Sequence, residues 1–152
     1  MDNLNRDFLE FIGYLDEEKV DYLVIGGYAV GLHGFPRYTG NIDFFVAVSD
    51  ENSNSLLRVF DRFGKFGFGD IGIEKEDFLK EDHVVEIGRE PRKIQVLTGI
   101  DGITVEECRK GTVETEINGR MVKFIGKEDL IRNKAASGRA KDLIDLGELN
   151  KL

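Results

Sequence analysis

The chain has 152 residues, 41% of them hydrophobic and 33% charged, with a formal net charge of −8 and a pI near 4.9. That length and balance describe a globular chain able to bury a core, not a disordered one, and the acidic balance excludes broad nonspecific nucleic-acid binding, which needs many phosphate-neutralising cations. The lone cysteine, Cys108, excludes an internal disulfide, no Cys/His cluster is available for zinc, and no apolar run is long enough to cross a bilayer.

Met1-Asp2-Asn3-Leu4-Asn5 carries neither a basic start nor an apolar stretch, so a cytoplasmic location is expected. Phe8, Phe11, Ile12 and Leu15 recur at helical spacing and predict an amphipathic helix over 6–18. The continuous apolar run Tyr22–Ile25 predicts a buried strand that stops at Gly26-Gly27. A short helix is expected over 28–33, closed by Gly34 and ended before Pro36. A second strand is expected over 41–48, with Ile42, Phe44, Val46 and Val48 on one face and Asn41, Asp43 and Phe45 on the other.

Leu56, Leu57, Phe60 and Phe63 predict a second amphipathic helix over 53–63. The glycine-rich stretch 64–72 follows as a flexible connection; without a following Gly-Lys-Ser/Thr it is not a phosphate loop. Strands are expected at Val84–Ile87 and over 94–97, separated by a turn around Glu90-Pro91. Two more, Val113–Ile117 and 121–125, flank Asn118-Gly119, a strong hairpin signal. The chain ends in two expected helices, Lys127–Ser137 and 140–149, broken at Ser137-Gly138. The result is a mixed α/β chain.

Gly26 to Asp43 is the segment that carries chemistry. Two glycines after a strand allow positive φ and a close approach of ligand to backbone, and a helix beginning there offers free amides to an anion. Asn41 and Asp43 then stand on one face of a strand at period two, where two oxygen-bearing side chains suit a magnesium–nucleotide. In an otherwise acidic chain, Lys127, Arg132, Lys134, Arg139 and Lys141 form a basic cluster that suits a focused anion site or, equally, the exposed face of a helix. Arg37 either grips a phosphate or is an ordinary arginine in a turn. His33, with no orienting partner in sequence, is expected to pack or cap its helix, and Cys108 to be inert.

Taken in order, Gly26-Gly27, His33-Gly34, Pro36-Arg37, Thr39 and Asn41-Ile42-Asp43 resemble the nucleotidyltransferase superfamily. The resemblance runs on through Arg92–Thr98, Phe124–Leu130 and Lys134–Leu146. It is greatest to the small bacterial nucleotidyltransferase-like proteins of the minimal and abortive-infection toxin groups. It implies the DNA polymerase beta-like palm fold, a mixed sheet flanked by helices, in one domain spanning 1–152 with C-terminal helices over 127–151 packed on it. It further implies a nucleoside triphosphate substrate, Mg2+ as cofactor, and an RNA or protein acceptor, with a cognate partner protein of the toxin–antitoxin or phage-defence kind and no membrane role.

By the same resemblance the catalytic positions are Asp43, Asn41 and Gln95, with Asp43 and Asn41 as metal ligands. Gly26, Gly27, Arg37, Lys134, Lys141 and Asp142 are the corresponding nucleotide and phosphate positions. The family places carboxylates where this chain has Asn41 and Gln95. An amide oxygen can ligate a cation but brings no charge and cannot act as a general base. Two readings follow: a transferase weakened at those positions, or an inactive relative that serves as a binding or regulatory module. Glu86 is the spare acid that could replace a lost ligand.

Overall fold

The computed structural model describes residues 4–64 and 72–151; the expected glycine-rich connection lies almost wholly outside the described residues. Helix α1 spans Arg6–Glu17, and its first turn is capped by Asn5, whose side chain accepts from the Phe8 amide at 3.0 Å. Such a cap contributes about 1 kcal/mol. Phe8, Phe11, Ile12 and Leu15 form its fully buried face, and Lys19 in left-handed backbone (φ 58°) turns the chain away from the helix.

A six-stranded sheet forms the centre, in the order β3-β4-β2-β1-β6-β5. Its strands are β1 (Tyr22–Ile25), β2 (Asn41–Val46), β3 (Val84–Ile87), β4 (Lys93–Leu97), β5 (Val113–Ile117) and β6 (Arg120–Phe124). β1 lies between β2 (antiparallel) and β6 (parallel), and β2 pairs in parallel with β4. The central position of β1 accounts for its unbroken apolar run, since all four of its residues are buried. The β5–β6 hairpin turns at Asn118 (φ 51°) and Gly119 (φ 80°), the paired positive dihedrals of a tight two-residue turn.

Helix α3 (Asp50–Gly64) packs beside α1 on one face of the sheet. Phe11 is the centre of that layer, with ring centroids 5.2–5.4 Å from Phe44, Phe60 and Phe63. Asn52, near the start of α3, is buried and accepts from the Asp21 amide while donating to the Ala47 carbonyl at 2.7 Å. It ties together the edges of β1 and β2 at the end away from Gly26. The remaining helices are α2 (Gly26–Leu32), α4 (Val105–Cys108), α5 (Lys127–Ser137) and α6 (Ala140–Asn150), with short 3-10 turns at Lys75–Phe78 and Arg109–Gly111.

Several boundaries differ from expectation. α2 begins at Gly26 itself, so the glycines belong to its first turn. α3 starts three residues early, where Asp50 and Glu51 favour the positive end of the helix dipole. β2 ends at Val46, and Val48 is exposed, beyond the reach of β1. Phe45, expected beside Asn41 and Asp43, is buried, so the polar stretch of that face ends at Asp43. Among the described residues no helix is long and apolar enough to cross a membrane.

Candidate active site

In the β1–β2 register Ile25 lies opposite Asp43, so the chain leaves β1 directly beside that carboxylate. Gly26 makes this turn at φ 69°, and a Cβ there would overlap the Asp43 carboxylate. Only glycine meets both conditions. Gly27 is close-packed as well: a Cβ would stand 3.0 Å from the Thr39 hydroxyl.

The β2–β4 pairing then sets Gln95 opposite Asp43, which brings side chains of both strands into one row. Asn41 Nδ2 donates to Asp43 Oδ1 at 2.6 Å and lies 3.2 Å from Gln95 Oε1. Gln95 Nε2 donates in turn to Glu86 Oε1 on β3 at 2.5 Å. Burial pushes the Asp43 carboxyl above its ordinary value, opposed by the Asn41 hydrogen bond and by the charges of Lys134, Lys141 and Lys93. A half-buried acid is thus bonded to an amide and faced by three ammonium groups.

Those cations come partly from the C-terminal helices. α5 ends at Gly138 in left-handed backbone (φ 64°), and α6 folds back against it. Lys134 Nζ thereby reaches Asp142 Oδ1 at 2.7 Å and Asp145 Oδ2 at 3.1 Å. Arg37 Nη2 donates to Asp145 Oδ2 at 2.7 Å, and Arg139 Nε to Asp142 Oδ2 at 3.1 Å; Ser137 Oγ also bonds Asp142. Burial by itself would raise Asp142, but the bonds from Lys134 and Ser137, the Lys134 charge and the bond from Arg139 hold it down, to about 2.

A cleft of about 540 Å³ separates the strand row from these helices. Gly26, Gly27, Arg37, Asn41, Asp43, Gln95, Lys134, Lys141 and Asp142, all singled out from sequence, line it together. Lys134 is tied down by two carboxylates, whereas Lys141 is exposed. His33 stands apart: it ends α2 and its Nε2 bonds the Ile125 carbonyl at 2.7 Å, which makes that nitrogen the protonated one. Cys108 is buried, its thiol pushed up to about 12 first by burial and then by Asp129 and Glu107.

Sequence reasoning missed Asp145, the acid shared by Arg37 and Lys134. Its signal was its place one helical turn after Asp142, overshadowed by Leu143 and Ile144, which the structure leaves exposed. Lys93, opposite Asn41 in the register, was missed as well.

A mixed sheet of this order, with a Gly-Gly turn feeding a helix and an Asn-x-Asp strand beside it, is the nucleotidyltransferase fold. The chain belongs to the family described as nucleotidyl transferases of unknown function (DUF2204), whose model matches residues 4–152. Solved structures agree on the fold. The lincomycin-bound lincosamide antibiotic adenylyltransferase LnuA is 14% identical with a TM-score of 0.63, over 99% of this chain and 98% of that one. A Thermotoga maritima protein assigned as a nucleotidyltransferase is 17% identical with a TM-score of 0.63, again over 99% and 98%. The antibiotic-resistance factor ANT(2″)-Ia is 17% identical with a TM-score of 0.63, over 95% of this chain and 81% of its own. No functionally curated protein shows significant sequence similarity to the chain.

Proposed function

We propose that the cleft binds a nucleoside triphosphate and transfers its nucleotidyl group to a hydroxyl of a small molecule. The observation that carries this reading is Asp43 held against Gly26 in a cleft that Lys134 and Lys141 also line, with the charge of Lys93 acting on the same carboxylate. Ammonium groups suit the phosphates, and Gly26 lets them approach the backbone beside the only charged member of the Asn41–Asp43–Gln95 row.

Magnesium fits this donor set as a single ion. Among the described residues no group of three or more His, Cys, Asp or Glu side chains is placed to hold a metal. Magnesium is nonetheless commonly held by one or two carboxylates with substrate phosphates completing its shell. Asp43 would hold it with the Asn41 amide oxygen as a neutral ligand, and the ion would neutralise phosphate charge. A second metal would need a bridging carboxylate, and Asn41 and Gln95 supply only amides beside Asp43.

For the acceptor, a cleft of this size is in the range of small-molecule sites, and an acidic chain repels an RNA track. Of the structural neighbours, one is by name a lincosamide antibiotic adenylyltransferase and another an antibiotic-resistance factor. Label transfer tests the assignment: α-labelled nucleotides with magnesium are offered lincomycin, simple polyols, total RNA and a protein extract. Labelled small molecule is the expected product. Labelled RNA or protein would refute the acceptor class, and no product from any of them would refute turnover.

The amides at Asn41 and Gln95 favour a second reading. An inactive relative in the cytoplasm would bind a nucleotide as a regulatory module, beside a partner protein of a toxin–antitoxin or phage-defence pair. That reading predicts nucleotide binding without transfer.

A further inference from the structure

The row of polar side chains does not end at Gln95. Glu86 on β3 is the register partner of Gln95, so the two side chains share a face of the sheet. Gln95 Nε2 holds Glu86 Oε1 at 2.5 Å, and Lys93 Nζ stands 3.4 Å from the same oxygen. The Glu86 side chain is 48% exposed and lines the cleft that contains Asp43. At the β4 position the amide of Gln95 cannot accept a proton. One strand further out, a carboxylate oriented by that same amide can.

We infer that Glu86 is the catalytic base of the transfer and that Gln95 is its positioning residue; the inference rests on the cleft being a live transferase site. A Glu86 carboxylate oxygen takes the proton of the acceptor hydroxyl as that oxygen bonds to the α-phosphorus. The bond from the α-phosphorus to the oxygen bridging to the β-phosphate breaks, and pyrophosphate leaves with the electron pair. Glu86 then returns its proton to solvent.

The other acids of the cleft are less suited to the task. Asp43 accepts from Asn41 and is the residue left to hold a metal. Asp142 is committed to Lys134, Ser137 and Arg139. Asp82 and Asp101 lie in connecting segments, outside the strand row that contains Asp43.

The test compares Glu86→Gln, Glu86→Asp and the double variant Glu86→Gln with Gln95→Asp. Each is assayed with magnesium and α-labelled ATP, GTP, CTP and UTP, using lincomycin and glycerol as acceptors. Glu86→Gln is expected to lower kcat by ~10²–10⁴-fold, the usual worth of a general base, with the nucleotide KM and thermal midpoint unchanged. Glu86→Asp, which keeps the charge, retains more rate than Glu86→Gln. The double variant regains rate because a carboxylate returns to β4. An active wild type with an equally active Glu86→Gln overturns the inference and leaves the transferase reading standing. Loss of nucleotide KM or of thermal stability together with rate, without rescue by the double variant, assigns Glu86 a structural role and also overturns it. A wild type inert with every nucleotide and acceptor overturns the transferase reading, and the inference with it.

Discussion

Lys134→Met removes the ammonium that joins α5 to α6 while keeping most of the side-chain volume. In the native protein Lys134 is 6% exposed, and the two carboxylates it meets, Asp142 and Asp145, are 11% and 2% exposed. Taking one partner from a buried ion pair costs ~3–5 kcal/mol, because the remaining charge stays desolvated. Here each acid keeps a second cation, Arg139 for Asp142 and Arg37 for Asp145. The lower end, about 3 kcal/mol, is therefore expected, equivalent to ~6–12 °C in Tm for a chain of this size.

The effect has a pH signature. The folded value of Asp142, about 2, lies below its ordinary 3.8, so its stabilisation is complete above the unfolded value and is lost as pH falls through the folded one. Without Lys134 the depression is smaller, so the variant has less to lose in acid. Urea unfolding from neutral pH down to about pH 2 should show the gap between wild type and variant closing below about pH 4. Equal stabilities at neutral pH, or a gap that does not change in acid, would refute the assignment of Lys134 as the tie between the two helices.

Asp43→Asn should unfold at higher urea than the wild type at neutral pH. The raised folded pKa of Asp43 means that its favourable contribution belongs to the protonated form and is lost as pH rises through that value, a loss an amide does not suffer. Gly26→Ala should cost ~1–3 kcal/mol by denaturant unfolding, from a strained positive φ and from overlap with the Asp43 carboxylate. The paired change Asn41→Asp and Gln95→Asp should raise magnesium affinity in titration calorimetry, because it returns two charges to the row beside Asp43. Unchanged affinity would show that these positions are not ligand positions.

Much of this architecture is written locally in the chain. The helical spacing of Phe8, Phe11, Ile12 and Leu15 defines α1, the unbroken Tyr22–Ile25 run marks a strand buried on both faces, and Asn118-Gly119 places a hairpin. The Gly26-to-Asp43 segment was legible because the glycines and the polar strand pair lie close in sequence. What escaped depends on pairing between distant segments. Nothing in the sequence fixes that Glu86 lies opposite Gln95, or that Lys93 lies opposite Asn41.

α6 misleads because Leu143 and Ile144 suggest the buried face, whereas the ion network turns Asp142 and Asp145 inward. One missed element did carry a signal: Thr104 and Glu107 form a reciprocal capping box that starts the one-turn helix Val105–Cys108.

Whether Asp43 anchors a nucleotide is decided by titration calorimetry of magnesium-ATP, -GTP, -CTP and -UTP into the wild type and into Asp43→Ala. At least one nucleotide is expected to bind the wild type, and its binding to weaken on removal of Asp43. No binding of any nucleotide, or equal binding by both proteins, would contradict a nucleotide site built around Asp43.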